Sequence, residues 1–183
     1  DYQDTAAMQS LRVIGRSMAG DVERLVTPAI SRGRKLAASP DVIASLRAAD
    51  HRRLMDLCND AILDATEIDA VAIFNGEGEL LAINSVRDDG ARIPQEAIDR
   101  LLGRDFTHCD IISKCLSKRA QGELLEFQTT CDITPALFGS SGLSVAHSIP
   151  ICDSDGTQLG VLSTRLRFER LSKILSAHQF ADD

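Results

Sequence analysis

The chain reads as an α+β fold, a five-stranded antiparallel sheet carrying helices on both faces and a long helix at its N-terminus. Three observations predict it. The stretch Ser144-Val-Ala-His-Ser-Ile-Pro-Ile-Cys152 and the apolar run after Gln158 flank an Asp153-Ser-Asp-Gly156 turn. Asp and Gly tolerate positive φ and bond their own backbone, so this is the pattern of a hairpin. The same grammar occurs upstream, where Ala70-Val-Ala-Ile-Phe74 and Glu79-Leu-Leu-Ala-Ile-Asn84 flank Asn75-Gly-Glu-Gly78. Helix-patterned sequence precedes, separates and follows the two hairpins. The intervening helices supply the wide crossing that lets both hairpins join one sheet.

Element by element, residues 4–38 predict a helix. Met8, Leu11, Gly15, Met18, Val22 and Leu25 recur at three- and four-residue steps, and Arg12, Arg16, Asp21, Glu23 and Arg24 fall mostly off that stripe. Thr27-Pro28 interrupts the run. Proline lacks a donor and clashes with the preceding turn, which predicts a kink or a restart with Pro28 at the first helical position. Ser39-Pro40-Asp41 caps a short helix through Ala49, and Asp50 opens another with Leu54, Leu57, Ala61, Ile62 and Ala65 inward. After the first hairpin comes a polar loop at 87–92. Pro94 then begins a helix over 95–102 that Gly103 stops. A further helix is expected over 108–120, with Ile111, Ile112, Cys115 and Leu116 apolar, and a third strand over 124–129. Residues 130–142 read as a loop of about a dozen residues, a length usually given to lids and binding loops. The second hairpin and a helix over 169–178 close the chain.

The 183 residues suffice for one domain with a substantial core. A formal charge of −7 argues against nucleic acid, which needs a basic face, and one Tyr, six Phe and no Trp leave no stacking platform for single strands. No apolar run approaches the ~20 residues of a membrane span. The chain starts at Asp1 without an initiator Met, which reads as an excised piece of a larger protein. Of the five cysteines, none forms a CxxC pair, and Cys109 and Cys115 are spaced too widely for a zinc knuckle. Buried thiols and one or two disulfides in an oxidising compartment both remain open. No metal or other cofactor is expected, and no nucleophile elbow, phosphate-binding glycine loop or metalloprotease helix is present, so the fragment is not expected to be an enzyme.

Four segments between 36 and 175 carry a family likeness. They are Leu36-Ala-Ala-Ser-Pro-Asp-Val-Ile-Ala-Ser-Leu46, the hairpin from Ile68 to Leu81, Gly103-Arg-Asp-Phe-Thr-His-Cys-Asp-Ile-Ile112, and the closing hairpin from Ser148 to Leu162. In this order they resemble the Cache domain, a PAS-like sensor module of bacterial histidine kinases, diguanylate cyclases and chemoreceptors. The resemblance implies a PAS-like domain over 36–176, a signalling helix over 1–35 belonging to the same domain, and a tail at 177–183 leading to a membrane helix. It also implies a periplasmic or extracellular location on an inner-membrane protein. The chain departs from the family where a pocket arginine and aromatics are expected, since Cys109, Ile111 and Ile112 stand there. In the last strand Arg165 occupies the place of an aspartate that grips ligand ammonium groups, so the family's amino-acid and amine recognition pattern is not carried over.

Arg165 is the sharpest candidate. It shares a strand face with Leu159, Val161 and Ser163, and a guanidinium there needs an acceptor. A carboxylate or phosphate ligand would satisfy it bidentately; an internal partner such as Asp132 or Glu126, or water at the strand end, would do so too. The long loop offers Asp132, Thr134, Phe138, Ser140 and Ser141, the mixture found around small-ligand pockets. Arg104 at a helix end and Phe127 on the third strand complete the candidate lining. His147 lies mid-strand on the face of Val145 and Ile149, where a lone histidine is more often a bonded core residue than a ligand. Cys109 and Cys131, at the start of the pocket helix and the mouth of the loop, are the candidate disulfide pair. The expected function is ligand sensing, with a small anionic organic molecule as partner and a second protomer packing along the first helix, whose stripe has near-heptad spacing. The alternative is a PAS-like dimerisation spacer without a ligand, in which Arg165 is paired internally.

Overall fold

The computed structural model describes the backbone of residues 2–64, 67–117, 122–139 and 143–179, and their side chains outside 2–14, 127–130, 168, 174–175 and 178–179. Helix α1 (Tyr2–Ala37) leads into α2 (Pro40–Arg47) and α3 (His51–Leu63), then strands β1 (Ala70–Asn75) and β2 (Leu80–Ile83). The short helices α4 (Gln95–Asp99) and α5 (Asp110–Leu116) precede β3 (Leu124–Thr130), α6 (Ile133–Phe138), β4 (Leu143–Cys152), β5 (Gln158–Arg167) and α7 (Phe168–Gln179). The five strands form one sheet in the order β2-β1-β5-β4-β3, every pairing antiparallel.

Both hairpin turns use one device. Asn75 Oδ1 accepts from the backbone N–H of Glu77 and Glu79 at 2.9 and 3.0 Å, and Asp153 Oδ1 accepts from Asp155 and Thr157 at 3.0 and 2.9 Å. Gly78 and Gly156 take φ of 90° and 78°. A short Asx side chain followed by a glycine thus folds each strand back on its partner.

Side-chain alternation splits the sheet into two apolar faces. Ala70, Ala72, Phe74, Ala146 and Val161 pack under Ile98, Phe106, Ile111, Ile112, Ile133 and Leu137, the layer of α4–α6. On the other face Val71, Ile73, Ile149, Ile151 and Leu162 meet Ala29, Ala37, Val42, Leu54, Cys58 and Ile62 from α1–α3. Two glycines allow close approaches between elements. A Cβ at Gly160 on β5 would stand 2.1 Å from the Phe74 carbonyl oxygen of β1. At Gly33 it would meet Ile149, His147 and Thr164 at 3.1–3.3 Å, so α1 lies directly on β4 and β5. Replacing Gly160 with Ala is expected to cost about 1–3 kcal/mol or more, measured by denaturant unfolding, because a backbone oxygen cannot give way as a side chain can.

Three expectations are corrected. Pro28 does not restart the helix: α1 runs through it as one element. Its apolar face is held to the sheet on both sides of the proline by Val26, Ala29 and Ala37, which offsets the lost hydrogen bond. The stretch 130–142 is not all loop, since α6 occupies its middle. Ile133 and Leu137, one turn apart, bury together, Pro135 sits in the first turn where its missing N–H does no harm, and Gly139 ends the helix at φ 63°. Finally, the helices expected over 95–102 and 108–120 are shorter: α4 ends at Asp99 and α5 spans Asp110–Leu116.

A polar contact ties α1 to the edge of the sheet. His147 Nε2 lies 2.9 Å from Glu123 Oε2, and Arg34 Nε donates to the same carboxylate at 2.8 Å. The Arg34 bond, joined by that of His147, lowers the Glu123 pKa to about 2, while burial lowers that of His147 despite Glu123. Both folded-state values lie below the unfolded ones, so both contributions are present at neutral pH and lost on acidification. His147 acts as pH falls below 6.5 and Glu123 between 4.5 and about 2. Melting temperature should therefore fall on going from neutral to mildly acidic pH, and His147→Asn should flatten that first stage of the decline.

Candidate functional site

Arg165 sits on β5, the centre of the sheet, opposite Ala70 of β1 and Ala146 of β4. Period-two alternation puts Ser163 and Arg167 on the same face, with Ala72 and Ser148 beside Ser163 and Ser144 beside Arg167. The long side chain is therefore surrounded by Ala and Ser, beneath the α4–α6 layer. Its exposure is 2%, and Nε, Nη1 and Nη2 all lack a hydrogen-bond partner among the described residues. Both expected internal partners are engaged elsewhere: Asp132 accepts from Arg104 at 3.0 Å and Glu126 from Lys114 at 3.0 Å. Thr134 on α6 is likewise buried with an unpartnered Oγ1.

Two thiols complete the buried polar set. Cys109 caps α5 and Cys131 precedes α6; both are buried and unbridged. They are close enough to interact. A hydrogen bond from Cys109, helped by the positive charge of Arg165, pulls Cys131 below the usual cysteine range in spite of burial. The same contact, reinforced by burial, pushes Cys109 up.

The rim is built from arginines and aromatic rings. The guanidinium groups of Arg87 and Arg167 lie 5.6 and 4.9 Å from the ring centre of Phe138, at the end of α6. Arg167 is fixed by Asp69, whose carboxylate accepts from the Arg167 backbone N–H at 2.8 Å and side-chain Nε at 3.0 Å, and from Arg170 at 2.9 Å. Arg170 also reaches Asp88 at 2.7 Å. On the other side, exposed Arg104 bonds Asp132 and lies 5.7 Å from the Phe106 ring, which stacks on His108.

Of the residues singled out in the sequence, Arg165, Thr134 and Phe138 thus lie on the α4–α6 side of the sheet, with Arg104 and Asp132 paired at its surface. His147 does not join them: it faces α1 from the opposite side, paired with Glu123, because strand positions 147 and 165 have opposite parity in the β4–β5 register. Ser140 and Ser141 lie outside the described residues, as does the side chain of Phe127. Sequence reasoning missed Arg167, although its place two residues beyond Arg165 gave the signal, and missed Arg87 and Asp69, which carried none.

No protein-family model and no curated protein sequence matches the chain. Solved structures do. The sensor domain of DcuS from E. coli superposes with a TM-score of 0.61 at 16% identity, covering 84% of this chain and 96% of that one. The ligand-binding domain of the Pseudomonas fluorescens chemoreceptor CtaA, in complex with L-serine, gives 0.64 at 14%, covering 95% and 65%. That of the Pseudomonas aeruginosa amino-acid chemoreceptor PctC, in complex with GABA, gives 0.57 at 18%, covering 91% and 66%. The fold is that of the Cache-type, PAS-like sensor domains. Those matched proteins are sensor or ligand-binding domains, not catalytic ones, and the chain spans just under two thirds of the CtaA and PctC domains. Within this Cache-type frame the arginine pair 165 and 167 occupies one face of the central strand.

The two kinds of buried charge predict opposite mutational signs. Arg165→Met removes a buried cation that has no partner among the described residues and should stabilise the ligand-free protein, by about 1–4 kcal/mol if it behaves like other buried charges replaced by apolar groups. Asp69→Ala removes the carboxylate that holds Arg167 and one of the two that hold Arg170, Asp88 remaining, and should destabilise it by about 1–3 kcal/mol. Denaturant unfolding of both variants checks the pair.

Proposed function

We propose that the chain is the ligand-binding sensor domain of a membrane-anchored signal-transduction protein and that it takes a small anionic organic molecule at Arg165. One observation carries this reading: a fully buried guanidinium whose three nitrogens have no partner among the described residues, faced by small side chains. An isolated buried charge is costly, and a carboxylate or phosphate would supply both the acceptors and the counter-charge. Arg167 and Arg87, around Phe138, add positive potential at the rim. The carboxylate of Asp69 is already held by Arg167 and Arg170, so an ammonium finds no free acid there. That favours an anion over the zwitterions named for the matched chemoreceptors.

The same strand supports a route for the signal. β5 runs into α7 without a break, and Leu166 of β5 and Leu171 of α7 pack with Val145 and with Val26 of α1. Binding at Arg165 favours one position of β5, and α7 and α1 follow it as a population shift. The attached output is a kinase, a cyclase or a chemotaxis module, the domain lies on the periplasmic or extracellular side, and α1 provides contact with a second protomer. No helix among the described residues is long and apolar enough to cross a membrane. Along the chain, 1–35 form the signalling helix, 36–176 the sensor domain and 177–183 the tail.

Thermal-shift measurements against a panel of carboxylates, phosphates and amines test the reading. Anions should raise the melting temperature and amines should not, and Arg165→Met should abolish the response while remaining folded. A panel without any stabilising anion would overturn it in favour of a spacer module.

A further inference from the structure

His147, on the sheet face opposite Arg165, sits where α1 meets the strands. Its Nε2 lies 2.9 Å from the Glu123 carboxylate, which Arg34 of α1 also holds. An ionised carboxylate only accepts, so the proton of the neutral imidazole sits on Nε2 and Nδ1 is left bare. Nδ1 is buried without a partner among the described residues. A Cβ at Gly33 would come within 3.2 Å of it and 3.3 Å of the Thr164 methyl, so the backbone of α1 closes over the bare nitrogen. The adjoining cleft, about 10 Å³, has Val26, Ala29, Ile30, Val145 and Leu166 in its walls. Of the elements packed against the imidazole, α1 contributes the charge of Arg34 and the residue before β3 that of Glu123. Strands β3 and β5 set the uncharged Leu125 and Thr164 beside it.

We propose that His147 makes the seat of α1 on the sheet a proton sensor: a proton taken up at Nδ1 lifts the helix off β4 and β5 around Gly33, giving the domain an acid input separate from the Arg165 face. The added N–H is a donor where α1 leaves it no acceptor, and a buried unpaired donor is costly. Protonation also sets two cations, Arg34 and His147, on one carboxylate. When Arg34 leaves with α1, Glu123 keeps a counter-ion in His147, and water reaches Nδ1. Burial holds the His147 pKa below 6.5 despite Glu123, the sign expected of a seated form that excludes the proton. In the displaced form the imidazole returns to its ordinary value. The displaced-to-seated ratio therefore rises by up to about tenfold for each pH unit below 6.5, until the seated form itself takes up the proton. Glu123 stays ionised throughout that range, since its own pKa is about 2.

Use of the displacement as a signal rests on the sensor reading; the displacement itself does not, and it is measured without any anion. Amide hydrogen exchange, corrected for its intrinsic dependence on pH, is followed from about pH 7.5 to about pH 5.5. Peptides covering 26–37 should lose protection by about threefold to tenfold while those covering 70–83 keep theirs. In His147→Gln, which retains a donor towards Glu123 and takes up no proton, that pH dependence should vanish. Unchanged protection of 26–37 overturns the proposal, as does an equal fall in His147→Gln, or a loss shared by the whole domain, which is acid unfolding. Gly33→Ala tests the link from the other side. Its methyl group pushes α1 off the same spot, so the His147 imidazole, titrated by NMR, should move up towards 6.5. A titration unmoved or lowered in that variant overturns the coupling of helix and proton. A silent anion panel and an immobile helix are thus separate observations.

Discussion

A guanidinium enclosed on the central strand imposes a condition that the surrounding structure meets only in part. Ala70 and Ala146 on either side leave the side chain room to lie along the sheet, and the α4–α6 layer keeps water off it. Two other buried polar residues are well engaged. Asp69 holds two arginines and a backbone amide, and Asn84, fully buried, bonds Val71 and Val86. Beside them Arg165, with three nitrogens unpartnered among the described residues, is the largest unmet hydrogen-bonding demand, which is what makes it the candidate anchor.

The Asp69 cluster and the Arg165 face are neighbours by construction. The Asp69 amide donates to the Arg165 carbonyl at 2.9 Å, while its carboxylate fixes Arg167 and Arg170. The strand end carrying the candidate anchor is thereby tied into the start of α7. This arrangement places the buried cation in mid-sheet and joins the end of its strand directly to a helix.

Much of the architecture was legible because it rests on short-range chemistry. Asn75 and Asp153, each three residues ahead of a glycine, determine where the two hairpins turn, and alternation along 159–166 placed Arg165 inward. The remainder depends on groups distant in sequence. Whether Pro28 breaks a helix is decided by what the sheet offers Val26 and Ala29, and nothing in the local sequence shows that. Helix α6 was hidden because six residues give too few turns for a period to emerge, although Ile133, Leu137 and Gly139 were its outline. His147 was correctly placed on the face of Val145 and Ile149, but only the β4–β5 register shows that this face looks away from Arg165. Asp69 as a clamp for Arg167 and Arg170 spans about a hundred residues and left no trace in the sequence.

Gly33 has a mechanical consequence. Where most helices rest on a sheet through a cushion of side chains, here the backbone of α1 lies against the tips of Ile149, His147 and Thr164 with nothing of its own between. Side chains absorb small displacements by changing rotamer, and a bare backbone has none to change. A shift of the two strands beneath this point therefore reaches α1 through one layer of side chains, theirs, where an ordinary helix–sheet contact would interpose two.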